Sequence, residues 1–316
     1  MKRYHDIVGD GGSGVLEQVA GQRARIIGGL AGVRHIVAVG SGKGGVGKST
    51  LTLHLAGALQ ARGLRTAIVD ADFNGPSQAR MAGVQGAVFV PGSHKVALPR
   101  TSNGIRVFSM GSLIPESEAL TFDSVADGES HTWRATKEFA LLSEILGAFE
   151  WGALDVLMFD LPPGADRTVQ YADFLRPFDT TQGAPRISFV LVTIPSEVAK
   201  GVVARSVAAL ACGHHRVLGY VENMSGYYCR DCNAIKPLFG APDAAGLNIP
   251  CLGAVPFDPE LAARCDRGIP LTDLPDTPVS RALEHVAQQL QESLDMTPSV
   301  PAHAPRARPQ GKERVE

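Results

Sequence analysis

Short, nearly continuous apolar runs alternate along this chain with longer stretches in which apolar residues recur every three or four positions. The runs are HIVAVG (35–40), TAIVDA (66–71), IRVFSM (105–110), LDVLMFD (154–160), RISFVLVTIP (186–195), RVLGYVEN (216–223) and CLGAVPF (251–257). Continuous rather than alternating apolar character predicts strands covered on both faces. Helices are predicted over 48–62, 133–149, 167–176, 196–211 and 258–267. In the first, Leu51, Leu55 and Leu59 share a face and Gly63 marks the stop. A last helix, 278–295, is expected to turn Val279, Leu283, Val286, Leu290 and Leu294 inward. Strands alternating with helices imply βαβ units, so the predicted fold class is α/β, a doubly wound, mostly parallel sheet.

Some regions fall outside this rhythm. Residues 1–33 are Gly-rich and read as a partly flexible N-terminal extension, with GDGGSG (9–14) a turn or arm. Segments 82–104 and 111–131 are long connections of the kind that carry function or insertions. The Pro-rich, polar stretch 298–316 is expected to be disordered. The expected division is therefore 1–33, a nucleotide-binding domain at 34–277, a C-terminal helix at 278–297 and the tail.

Composition narrows the partners. Thirty Lys and Arg against 32 Asp and Glu leave a balance of −2, without the basic footprint that nucleic-acid binding requires. The start lacks the apolar core of a secretory signal, and no run approaches the ~20 apolar residues of a membrane span. A cytoplasmic protein is expected. Five cysteines, an odd number, argue against a disulfide framework. Only Cys229 and Cys232 are close together; Cys212, Cys251 and Cys265 are read as core or inert positions.

GSGKGGVGKST (40–50) follows a predicted strand and opens a predicted helix, the setting that marks a phosphate-binding loop. Gly42, Gly44, Gly45, Val46 and Gly47 can turn consecutive amides around a β-phosphate. Lys48 is placed to bridge β- and γ-phosphates, Ser49 to offer its hydroxyl to Mg²⁺, and Thr50 to take part in binding the nucleotide. In FDLPPG (159–164), a strand ends in Asp160 before a Pro-Pro-Gly bend. This reads as a magnesium-holding aspartate followed by a switch whose Gly164 amide can sense the γ-phosphate. No NKxD guanine motif occurs, so ATP is the expected nucleotide.

GKGGVGKS, with its additional Lys43, resembles the deviant Walker A motif of the MinD, ParA, ArsA and nitrogenase-iron-protein group. The resemblance implies that Lys43 reaches across a nucleotide-sandwich dimer. It gives Asp72 of VDAD (69–72) the task of orienting the attacking water and Asp70 that of supporting the magnesium shell. Asn223, at the end of RVLGYVEN, and Pro256 of PFD (256–258) correspond to the adenine-side residues.

Within that group the stretches DADFNGPS (70–77), DLPPG (160–164), VTIPSEVA (192–199), VENMSGYYCRDC (221–232), PLFG (237–240) and IPCLGAVPFDPELAARCDRGIP (249–270) resemble the Mrp/Nbp35 (ApbC) family of iron–sulfur carrier ATPases, over about 33–275. That family's fold is a homodimer in which the Cys-x-x-Cys pair of each subunit, here Cys229 and Cys232 in a loop at 224–240, together hold a bridging [4Fe–4S] cluster for apo-protein clients. Soft thiolate ligands suit the cluster. Tyr227 and Tyr228 on one side and Ile235, Leu238 and Phe239 on the other would shield it. Zn²⁺ accepts the same four thiolates, and a redox pair or two free thiols are the remaining readings. A positioning ATPase of the MinD or ParA kind is the runner-up function, and a zinc or nickel chaperone ATPase the third.

Two departures from the family's pattern stand out. Ala165-Asp166-Arg167 replaces Thr-Gly-Asp after the Pro-Pro-Gly bend, and Trp133-Arg134-Ala135-Thr136 replaces Trp-Arg-Gly-Pro, which should let the helix there begin earlier.

Overall fold

A computed structural model describes residues 15–87, 89–91, 95–113, 131–179, 185–239, 247–269 and 276–295. The strands are β1 (Val33–Ser41), β2 (Thr66–Asp70), β3 (Val90–Pro91), β4 (Val96–Ala97), β5 (Arg106–Phe108), β6 (Leu154–Asp160), β7 (Arg186–Thr193), β8 (Val217–Cys229), β9 (Ala234–Lys236) and β10 (Cys251–Phe257). The helices are α1 (Val15–Leu30), α2 (Lys48–Ala61), α3 (Gln78–Met81), α4 (His131–Ala148), α5 (Ala165–Asp179), α6 (Glu197–Cys212), α7 (Pro259–Asp266) and α8 (Pro278–Ser293).

Strand order in the main sheet is β10-β8-β7-β1-β6-β2-β5, all parallel, with β9 added antiparallel to the far end of β8. β3 and β4 form a separate small hairpin. Parallel strands need crossover helices, which is why both faces of the sheet are covered and β6 is buried at every position. Two apolar layers result. One joins Leu51, Leu55 and Leu59 of α2 to Leu283, Val286 and Leu290 of α8; the other joins Ile26 and Leu30 of α1 to Leu142 and Leu146 of α4.

The predicted faces of α2 and α8 are the buried ones. α8 also has a firm start, with Thr277 and Ser280 exchanging hydrogen bonds as a capping box and Pro278 in the first turn. Its apolar face is used up against α2 and β10, so it is not a free amphipathic helix. Among the described residues no helix is long and apolar enough to cross a membrane.

Three differences from the sequence reading matter. Residues 15–30, placed in a partly flexible extension, form helix α1, with Leu30 fully buried. α4 begins at His131, two residues before Trp133, as the missing Gly-Pro leads one to expect. β8 does not stop at Asn223 but runs on to Cys229, so the expected 224–240 loop is in fact strand, turn and returning strand. The Gly-rich 9–14, most of 111–131 and the tail 298–316 lie outside the described residues.

Candidate functional site

The carboxyl ends of β1, β2 and β6 meet at one edge of the sheet, where open α/β sheets take ligands. The loop from β1 to α2 begins there. Gly45 and Gly47 have φ of 77° and 78°, a region costly to any residue with a Cβ. At Gly47 a Cβ would also sit 2.2 Å from the Asn223 amide nitrogen. These glycines let the loop curl back on the helix start.

Lys48 is buried and pairs with the fully buried Asp160. Its ammonium lies 3.4 Å from the Ser49 hydroxyl, so the three residues expected to meet Mg²⁺ and phosphate converge. The Thr52 hydroxyl, 3.5 Å from the same carboxylate, and Gln78 complete the surroundings. Gln78 is a residue the sequence did not point to. Its amide nitrogen donates to Asp160 Oδ2 at 2.8 Å and to the Ser49 carbonyl at 2.9 Å, while its own buried oxygen has no hydrogen-bond partner among the described residues. The donor set, two oxygens from Asp160 and Ser49 beside an unpaired buried carbonyl, suits a hard divalent cation such as Mg²⁺. Once Lys48 turns to phosphate, Asp160 and Ser49 would hold that ion, which would screen the phosphate charge.

Asp70 and Asp72 differ in character. Asp70 Oδ2 accepts from the Ser77 and Gln78 amides at 3.0 Å each and from the Ser109 hydroxyl at 2.8 Å, and Oδ1 from the Asp72 amide at 3.3 Å. It therefore folds the 72–78 loop. Burial, and then the charge of Asp160, push its carboxyl up to about 7. Asp72 is only partly buried and its carboxyl is also raised, mainly by burial, which suits a group that contacts a water.

Lys43 is half-exposed and forms no ion pair among the described residues. The Thr50 hydroxyl faces the Met81 sulfur at 3.8 Å. The Gly164 amide donates to the Ser41 carbonyl at 2.9 Å, tying the Pro-Pro-Gly bend to the loop. Behind it, Arg167 pairs with the buried Glu138, which accepts from Asn74 at 2.9 Å. The unusual Ala-Asp-Arg sequence thus links the start of α5 to the loop of Asp72.

Of the residues expected to face adenine, Asn223 donates through its amide nitrogen to the Val46 carbonyl at 2.8 Å. Pro256 is buried in β10, whose Val255 is in register with Asn223.

The cysteine pair sits at the tip of the β8–β9 hairpin. Cys229 is buried with 9 % exposure and Cys232 is exposed. The Cys229 thiol lies below its usual value, chiefly because the backbone amide of Cys232 points at it, then through the Cys232 side chain, the Asp231 amide and the Lys236 charge. Arg230, between the two, donates to Asp258, the N-cap of α7. Tyr228 is buried, but Ile235, Leu238 and Phe239 are 51, 42 and 36 % exposed, so within one chain they do not shield the pair. Among the described residues no group of three or more His, Cys, Asp or Glu is placed to hold a metal ion. Of the other cysteines Cys265 is a core position, buried and 3.6 Å from His54, whereas Cys212 and Cys251, at a helix end and a strand start, are exposed and so not core.

Fold and loop together define a P-loop NTPase of the MinD/ParA type. Residues 32–291 match the family model described as ParA, NUBPL iron-transfer P-loop NTPase, and the chain belongs to that family. It is 37 % identical over 281 residues to human "Cytosolic Fe-S cluster assembly factor NUBP2", covering 86 % of this chain and 96 % of the relative. It is 33 % identical to the "Iron-sulfur cluster carrier protein" of Aquifex aeolicus, over 84 % of this chain and 70 % of the relative. Among solved structures, an Archaeoglobus fulgidus nucleotide-binding protein in complex with ADP superposes with a TM-score of 0.64 at 29 % identity, over 80 % of this chain and 94 % of that one. MinD from Pyrococcus horikoshii, at 20 % identity and a TM-score of 0.52 over 82 % of this chain and 96 % of that one, shares the fold.

Proposed function

We propose that this chain is a cytoplasmic ATP-binding iron–sulfur carrier that works as a homodimer. Two Cys229–Cys232 pairs, one per subunit, hold a [4Fe–4S] cluster as cargo and pass it to apo-protein clients. The observation that carries this reading is the length of β8. One strand bears Asn223, bonded to the phosphate loop, and six residues on bears Cys229, less than about 20 Å away because β8 shifts register between Asn223 and Tyr227. A change in the loop on nucleotide binding has a direct structural route to the cluster ligands.

In this account the amides of 42–47, Lys48 and Thr50 receive the phosphates, and Ser49 and Asp160 the magnesium, with Asp70 supporting them by holding the 72–78 loop. Asp72 orients the attacking water, and Lys43 acts in trans on the partner's phosphates. Asn223 spends its amide nitrogen on Val46, which leaves its oxygen for the exocyclic amine of adenine; Pro256 lines the same side. Hydrolysis is slow and serves as a switch between two dimer states. The exposed Ile235, Leu238 and Phe239 are the apolar surface that a second subunit would cover.

Equilibrium binding of ATP tests the nucleotide half. Lys48→Ala is expected to weaken binding by ~100-fold or more, since it removes the one buried cation of the loop. Wild-type affinity in that variant would contradict the assignment.

A further inference from the structure

A cavity lies at the opposite, amino edge of the sheet. Its volume is about 290 Å³, and its walls include Gln60, Arg65, Thr66, Arg100, Arg106 and Leu154. Leu154 begins β6 and Asp160 ends it, so the cavity is roughly 20 Å from the nucleotide site. Nothing in the nucleotide or cluster chemistry uses it.

Three guanidinium groups share this space in a chain whose overall balance is −2. Arg65 is matched, since Asp155 Oδ2 and Oδ1 accept from it at 3.0 and 3.2 Å. Arg100 and Arg106 are not. Each donates one N–H to a backbone carbonyl, Arg100 to Gly104 at 3.3 Å and Arg106 to Trp151 at 2.8 Å, and neither forms an ion pair among the described residues. A guanidinium has five N–H donors in a planar fork suited to oxyanions. Burial and the charge of Arg100 press the Arg106 guanidinium below its ordinary value, the closer contact of like charges being only partly offset by Glu150. Gly152, with φ of 65°, lets the chain pass beside Arg106, because a Cβ there would lie 3.3 Å from its terminal nitrogen. Two guanidinium groups facing one cavity, Arg106 partly buried and Arg100 exposed, present charge and spare N–H donors to an anion there.

We propose that this cavity is a binding site for a small multivalent oxyanion, a phosphate ester or a polycarboxylate, held by Arg100 and Arg106 with Arg65 at the wall. The volume admits a ligand of several heavy atoms, larger than a chloride ion and smaller than a full dinucleotide.

The test is calorimetric titration of the full chain with pyrophosphate and, separately, with citrate, at ~0.15 M NaCl so that loose surface attraction is screened. The protein is first saturated with ADP in EDTA, which fills the phosphate loop without free Mg²⁺, since both probes chelate that ion. One-site binding by either probe is expected, weakened about tenfold or more in Arg100→Gln and in Arg106→Gln, and weakened less in Arg106→Lys, which keeps the charge but not the planar fork. The tighter probe assigns the oxyanion class. Arg100 is exposed, so Arg100→Gln is expected to fold normally even if Arg106→Gln does not. Absence of binding by the wild type, or binding indifferent to both arginine variants, overturns the proposal. Neither outcome touches the nucleotide and cluster reading, whose residues lie elsewhere.

Discussion

Arg230 donates to both carboxylate oxygens of Asp258, Nε to Oδ1 at 3.3 Å and the terminal nitrogen to Oδ2 at 2.8 Å. The first residue lies between the two cysteines; the second caps α7 immediately after the PFD segment. A fork of this kind joins the Cys229–Cys232 hairpin to the PFD segment, the proposed cluster and adenine sites, by a route separate from β8. The Arg230 side chain is 45 % exposed, so the pair contributes modestly to stability, at most about 1 kcal/mol. Its consequence is expected in coupling instead. In Arg230→Gln, iron loading should be unchanged, whereas the effect of Mg·ATP on the rate of cluster transfer should shrink several-fold. Transfer rates measured with and without nucleotide check this; an undiminished nucleotide effect would show that the fork is only structural.

Gln78 holds Asp160 from the side opposite Lys48. When Lys48 turns to phosphate, Gln78 remains as a donor on that carboxylate. Gln78→Leu, similar in volume, is therefore expected to lower the apparent Mg²⁺ affinity of the nucleotide complex by about tenfold, a loss of ~1.4 kcal/mol. ADP affinity in EDTA should stay near that of the wild type. Equal losses with and without Mg²⁺ would assign Gln78 to packing alone.

The buried histidines predict an acid limit to stability. Burial lowers His54 to about 3 and His35 to about 4 from an ordinary 6.5. Below 6.5 the unfolded chain takes up protons that the folded one refuses, so stability is full above that value. It is lost as pH falls toward 4 and then 3. Each histidine contributes up to ~1.4 kcal/mol per pH unit in its window. Urea midpoints from pH 7 to 4 should fall less steeply in His54→Phe than in the wild type; parallel curves would contradict the assignment.

The strands and the phosphate loop are legible in the sequence because buried parallel strands are apolar throughout and because the loop's glycines and lysines have fixed spacing. Other parts were hidden for identifiable reasons. α1 contains Gly21, Gly28 and Gly29, poor helix formers, yet Gly29 is required there: a Cβ would lie 2.2 Å from the Leu146 carbonyl of α4. Tertiary packing, invisible in a local pattern, decides that helix. β8 passes its apolar part at Asn223 and continues through Met224, whose φ is 54°, and Gly226, which breaks the strand signal. Gln78 opens a four-residue helix and carries no signal at all; only the fold brings it to Asp160.

Because α1 closes one layer of the core, Leu30→Ala should cost about 2–5 kcal/mol, the usual range for a leucine with no exposure. Val19, 56 % exposed on the same helix, should tolerate alanine within about 0.5 kcal/mol. Chemical denaturation of the two variants checks the contrast. Similar small losses would mean that α1 adds little to the core.

The central claim is that two chains share one cluster through Cys229 and Cys232. Anaerobic reconstitution followed by iron, sulfide and zinc analysis, with mass measured on the same sample, tests it most directly. About four iron and four sulfide per dimer are expected, falling to near zero in the Cys229→Ala/Cys232→Ala variant. Undiminished iron and sulfide in that variant, or stoichiometric zinc in place of iron in the wild type, would contradict it.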